Sequence, residues 1–286
     1  MWRKEFPFVI NSVAEEDIAV KVFAAMAHFE TSILLKFRAV SRSWRDAIDT
    51  HTLLWSRMPL CTAVAEDRAD ICKLILQSVE DKNPANNVGT TPLHVAAIQG
   101  HTDIYRLIID SVSDKNPAKY PWITPPYGGT TPLHEAARCG HTDICRLILV
   151  NVDDKNPKKE FGITPLHEAA KQGHTDICRL IIASVQVKNP EGQHGNTPLH
   201  AAARYGHTDI CRLIIDIVEN KNPGNEYGIT PLHLAAGEGH ETICRLIIDR
   251  VEEKNPEDSD GVTPLQEAER RGRTDISTLI RQYINL

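Results

Sequence analysis

The quartet Thr-Pro-Leu-His, first met intact in "TPLHVAAIQGHTDI" from Thr91, returns along most of this chain at a nearly fixed step. Quartets of this kind, intact or varied, begin at Met58, Thr91, Thr131, Thr164, Thr197, Thr230 and Thr263, with successive steps of 33, 40, 33, 33, 33 and 33 residues. A fixed period of this length points away from a single globular core. It predicts a solenoid, in which each unit is too small to bury its own apolar face and does so against its neighbours. The step of 40 reads as one normal unit carrying seven extra residues.

One unit, "GITPLHEAAKQGHTDICRLIIASVQVKNP" from Gly162 to Pro190, gives the local structure. Thr164 is a candidate N-cap. Pro165 follows at the first helical position, where its missing N–H goes unneeded. Leu166, Ala169 and Ala170 form a short helix with a small apolar face, stopped at Gly173. Thr175 is the expected cap of a second helix, with Asp176 in its first turn at the positive end of the helix dipole. Ile177, Leu180, Ile181 and Val185 repeat at helical spacing and predict the buried face. Asn189-Pro190 is the expected end of that helix, because the residue before a proline avoids helical geometry. Residues through Gly195 then turn the chain into the next unit. The prediction is an all-α chain.

Composition narrows the function. A formal net charge of −6, from 32 basic and 38 acidic residues, supplies no overall basic field for nucleic acid. The longest apolar runs, such as Phe6 to Ile10, are far short of a membrane span. The start of the chain lacks the apolar core of a secretory signal, so an intracellular protein, cytoplasmic or nuclear, is expected. Cys72, Cys145, Cys178, Cys211 and Cys244 share one slot of the repeat and read as small buried apolar residues rather than disulfide partners. Ten of the 13 histidines fall in two repeat slots. His141 and Cys145 have a spacing that could suit zinc, but the pair recurs in unit after unit and a structural hydrogen-bonding role is expected instead. No phosphate loop, nucleophile motif or carboxylate pair stands out from the repeats. Neither enzymatic activity, cofactor nor metal is expected.

These features together resemble the ankyrin repeat, with the likeness running from about Met58 to Leu286. The resemblance implies helix–turn–helix units joined by extended turn tips, arranged as seven units over residues 58–286. In place of the glycine that many ankyrin repeats carry after the second helix, this chain has "KNP". The outer units are varied as caps require: Met58, Cys61 and Asp67-Arg68 in the first, Gln266 and Arg273 in the last.

Residues 1–57 do not repeat. "AEEDIAVKVFAAM", "TSILLKFRAV", "SRSWRDAI" and "THTLLWSRM" read as short helices with little core to share. The run "VAEEDIAVKVFAAM", then "LLKFRAVSRSWRDAI" and "LLW", is similar to an F-box, the helical module that docks a chain onto the adaptor of SCF-type (Skp–cullin–F-box) ubiquitin ligases. That resemblance implies adaptor contacts at Val13, Ala14, Ile18, Val22, Leu34, Leu35, Val40, Trp44 and Trp55, and through the adaptor a cullin. Ala14 stands where the F-box family has proline. The alternative is a helical lid over the first repeat.

Ankyrin arrays bind partners through turn tips and the exposed positions of first helices. On that resemblance a target protein would meet Ile98, Gln99, Arg138, Lys171, Arg204 and Tyr205 on the helices, and Tyr120, Trp122, Tyr127, Lys158, Lys159, Phe161 and Tyr227 at the tips. Aromatics and arginine are the residues from which interface hot spots are made. The expectation is a substrate receptor of an SCF-type ligase. The rivals are a non-ligase ankyrin scaffold or inhibitor, and a microbial or viral effector that uses a host ligase.

Overall fold

The computed structural model describes residues 59–86, 89–119 and 129–284. The segment expected to be a separate F-box-like domain, residues 1–57, lies outside them, as do the nine adaptor-contact residues and Tyr120, Trp122 and Tyr127.

Among the described residues the chain is helical and has no extended strand. Seven helix pairs follow one another: α1 (Pro59–Ala65) and α2 (Ala69–Ser78), α3 (Pro92–Gln99) and α4 (Thr102–Ile109), α5 (Pro132–Cys139) and α6 (Thr142–Asn151), α7 (Pro165–Gln172) and α8 (Thr175–Ser184), α9 (Pro198–Tyr205) and α10 (Thr208–Ile215), α11 (Pro231–Glu238) and α12 (Glu241–Ile248), α13 (Pro264–Arg270) and α14 (Thr274–Ile284). First helices pack on first helices of adjacent units, and second on second. One continuous core therefore threads the stack, from Leu60 to Ile280. In each inner unit the quartet leucine, two alanines and the Ile and Cys of "DIC" are fully buried. Tyr105 replaces that cysteine in α4 and is buried as well.

Each quartet that begins with threonine builds a two-way cap. In α9 the Thr197 N–H donates to His200 Nδ1 at 3.1 Å, and the Thr197 hydroxyl lies 2.9 Å from the same nitrogen. A ring nitrogen that accepts leaves its proton on the other one. His200 Nε2 accordingly donates to the Ile229 carbonyl of the next unit at 3.0 Å. The same bridge joins His94 to Thr130, His134 to Ile163, His167 to Asn196 and His233 to Val262. One side chain thus caps its own helix and ties two units together.

The second helices depart from expectation at both ends. α8 starts at Thr175, so His174 rather than Thr175 holds the N-cap position, and its carbonyl accepts the first helical bond from the Cys178 N–H. The His174 ring reaches back instead to the Arg138 carbonyl at 3.2 Å, as His141, His207 and His240 do to Ile98, Lys171 and Arg204. α8 also ends at Ser184, six residues before Pro190, with Val185 already extended. The reason lies in "KNP". The ammonium of Lys188 donates to the carbonyls of Ile182 and Val185, orphaned by the end of the helix. Lys221 does the same to Ile215 and Val218 at 3.1 and 2.8 Å, and Lys115, Lys155 and Lys254 repeat the device. A cation here also opposes the negative end of the helix dipole. The adjacent asparagine faces forward: the Leu199 N–H, in the first turn of α9, donates to Asn189 Oδ1 at 3.0 Å. Asn83, Asn116, Asn156, Asn222 and Asn255 serve the following helices in the same way.

Each tip is closed by one backbone pair, such as Lys159 N–H to Ile163 carbonyl, four residues apart. In the longer unit the matching pair is Lys119 to Thr130, eleven residues apart. The difference between the two spans is seven, so the whole insertion sits within the tip and leaves both flanking helices in register.

Candidate functional site

The first helices and tips of three successive units enclose a groove of about 640 Å³. Its floor is formed by the capping histidines His167 and His200 and by Ala201. Its rim carries Phe161 at one tip, Tyr227 at another, and Lys171, Arg204 and Tyr205 at the ends of α7 and α9. Phe161, Tyr205 and Tyr227 are half or more exposed, at 59%, 50% and 50%, although they are large apolar rings on a folded surface. Lys171 Nζ lies 5.9 Å from the centre of the Tyr205 ring, within cation–π range. Tyr227 is steadied from the far side by His194, whose ring centroid is 5.5 Å away.

Phe161 stands there at a conformational cost. It has φ 61°, and the next residue, Gly162, has φ 70°. Glycine accepts that region freely, whereas a bulky side chain pays about 1–2 kcal/mol for it. The tip holds a strained aromatic ring out to solvent.

The electrostatics of this face depend on ion pairs across the tips. Lys159 is held by Glu168 at 2.6 Å, and one unit earlier Lys119 is held by Glu135 at 2.7 Å. Arg138 pairs with the other oxygen of Glu135 at 2.9 Å, and these two cations keep the Glu135 carboxyl below its ordinary range despite its burial. Arg270 and Arg271 are bound by Glu267, and Arg271 also by Glu238. Lys171 and Arg204 have no ion pair among the described residues.

Of the expected target-binding residues, the groove therefore gathers Lys159, Phe161, Lys171, Arg204, Tyr205 and Tyr227. Lys158 does not join them. It lines a separate depression with Asp153, Asp154 and Val187, because consecutive residues of the extended tip point to opposite sides. Ile98 and Arg138 do not line the groove either. Ile98 is half-buried, and the exposed Arg138 is engaged by Glu135. Gln99 is exposed on α3, also outside the groove. Sequence reasoning missed Leu234, and also Glu168 and Ala201, which line the groove one helical turn before Lys171 and Arg204. Their signal was available: residues three apart share a helix face.

The buried histidines are not reactive groups. Burial lowers the pKa of His94, His167 and His200 to about 4 and that of His134 to about 3, so all are neutral at physiological pH. Burial likewise pushes the Cys145, Cys178, Cys211 and Cys244 thiols up to about 12, which keeps them protonated. Among the described residues no group of three or more His, Cys, Asp or Glu side chains could hold a metal ion. No described helix is long and apolar enough to cross a membrane.

A search of curated proteins finds no significant match. A family model described as ankyrin repeats (3 copies) matches residues 24–119, 60–158, 133–224 and 215–286. These matches together span most of the chain, which belongs to the ankyrin-repeat family of protein-interaction modules.

Proposed function

We propose that the chain is a substrate receptor of an SCF-type ubiquitin ligase, with the groove over α7, α9 and α11 receiving the target. The observation that carries the target site is the cluster of three exposed aromatic rings beside two cations with no ion pair among the described residues. Such a surface gains most when a partner covers it. The insertion with Tyr120, Trp122 and Tyr127 rejoins the fold at this groove, since Gly129 and Thr130 line it. Those three rings are assigned to the same target. Residues 1–57, through the apolar positions from Val13 to Trp55 that resemble an F-box, dock the adaptor. The receptor then acts without chemistry of its own, by raising the local concentration of the target near the ubiquitin donor.

A second reading is a non-ligase scaffold whose head caps the stack. It is favoured by the family match that begins at residue 24 and takes in Leu34, Leu35, Val40, Trp44 and Trp55. Co-purification with the SCF adaptor separates the two. The receptor reading expects capture by the unmutated chain and loss of capture when Leu34 and Leu35 are both replaced by Asp, with the repeats still folded. No capture by the unmutated chain leaves the scaffold reading.

A further inference from the structure

The repeat makes the groove's origin visible. One slot in the first helices is acidic in several units: Glu135, Glu168 and Glu267. Three residues later the slot is cationic: Arg138, Lys171, Arg204 and Arg270. Where glutamate fills the first slot and arginine the second, the two pair, as in Arg138–Glu135 and Arg270–Glu267, both at 2.9 Å. In the groove this pairing fails twice. Glu168 binds Lys159 and makes no pair with Lys171, whereas Glu135 holds both Lys119 and Arg138. In the next unit the acid is replaced by Ala201, which leaves Arg204 without one and opens the floor between the rings. The groove lining then holds Lys159, Lys171 and Arg204 against Glu160 and Glu168, three cations against two carboxylates. This surplus of positive charge sits on a chain whose formal charge is −6.

We infer that the groove binds an extended acidic segment of another protein, with Asp or Glu carboxylates on Lys171 and Arg204 and a neighbouring aromatic or large apolar side chain over Ala201. The inference rests on the proposal that this face is the target-binding site and specifies its occupant. Arginine offers a planar fork of donors that matches a carboxylate, and Lys171 lies within cation–π range of the Tyr205 ring. Phe161, Tyr205 and Tyr227 supply apolar walls for the accompanying side chain. A basic segment would meet the surplus cations, and a neutral one would leave them covered and unpaired.

The test is a random-peptide display library panned on the full chain, followed by fluorescence anisotropy with one enriched peptide carrying a fluorescein label. The expected result is enrichment of sequences with Asp or Glu close to an aromatic or large aliphatic residue. Arg204→Glu and Lys171→Glu should each weaken the chosen peptide about tenfold or more, Arg204→Lys much less, and a peptide with lysine in place of its acids should prefer the Arg204→Glu chain. Ala201→Glu should abolish binding, because it supplies Arg204 with the partner that Arg138 has. Circular dichroism melts confirm folding of each variant. Enriched peptides that are neutral or basic, or acidic peptides indifferent to both charge reversals, overturn the inference. If such peptides still lose binding on Tyr205→Ala and Ala201→Glu, the face remains the binding site and only its acidic preference is wrong. If neither change matters, the binding-face proposal falls too. Self-association of the unmutated chain that Arg204→Glu dissolves would assign the groove to a second copy and also overturn the inference.

Discussion

Replacing His200 by Gln separates the two jobs of the capping histidine. The last unit already makes this substitution: Gln266 Oε1 accepts from the Thr263 N–H at 2.8 Å, and the cap is intact. What glutamine cannot reproduce is the bridge from His200 Nε2 to the Ile229 carbonyl. At about pH 7.5 the variant should therefore lose one inter-unit hydrogen bond to a half-buried carbonyl that keeps its Asn225 N–H, a cost of about 0.5–1.5 kcal/mol. Acidification changes the comparison. Burial lowers the His200 pKa to about 4, against about 6.5 in an unfolded chain. Between those values the unfolded state binds the proton and the folded state does not, so stability falls as pH falls through that window and levels off below it. At about pH 5.5 this amounts to about 1.4 kcal/mol for one histidine. Glutamine does not titrate and escapes that loss. The variant's deficit should accordingly shrink by about 1.4 kcal/mol on going from pH 7.5 to 5.5. Urea unfolding followed by far-ultraviolet circular dichroism at the two pH values measures it. An unchanged deficit would refute the assignment of a neutral, bridging His200 in the folded state.

Four further outcomes follow from the same geometry. Lys221→Met should cost about 1–2 kcal/mol in urea unfolding, since the carbonyls of Ile215 and Val218 lose a charged donor, and Asn189→Ala about 1 kcal/mol through the uncapped Leu199 N–H. Phe161→Asn should raise stability by about 1 kcal/mol by relieving the positive φ, yet weaken peptide capture, so gain in both would remove Phe161 from the binding face. Deleting Tyr120 to Pro126 should leave the melting temperature nearly unchanged, because the Lys119–Thr130 closure lies outside the cut. Under the proposed function it should also weaken target capture by about 2 kcal/mol, the scale of a lost hot spot.

The helix pairs and core were legible because every unit must solve the same burial problem with the same residues. Leu166, Ala169, Ile177 and Ile181 declare themselves by period alone, and their burial follows. The helix ends were less legible. Asn189-Pro190 is a true stop signal, but the chain leaves the helix earlier because Lys188 can satisfy the terminal carbonyls. A lysine read from sequence is a solvated charge until its partner is known. The groove posed the same difficulty. Lys158 and Lys159 look equivalent, and only the geometry of the tip sends Lys159 to Glu168 while Lys158 faces elsewhere. Choosing exposed residues from sequence found the rim, Tyr205 and Arg204, but not the floor at Ala201.

In a repeat chain the departures from the pattern are where information beyond the fold resides, and each kind can be traced to a cause. Gln266 and Arg273 replace histidines in the last unit without losing local bonds. Arg273 Nε donates to the Gly237 carbonyl at 3.1 Å, the bond that His240 makes to Arg204 one unit earlier. Gln266 keeps the cap without the bridge to a following unit that the histidines make. Those changes are confined to the last of the seven described units. Ala201 is not, for it lies in the middle, between Glu168 and Leu234, where each neighbour fills the slot with a larger side chain. Glutamate there would pair with Arg204 as Glu135 pairs with Arg138, adding an i,i+3 contact worth about 0.2–0.5 kcal/mol. The chain forgoes that contact at the one place where alanine also clears the floor between three exposed rings. A gap that stability disfavours and packing does not require is best accounted for by something that enters it.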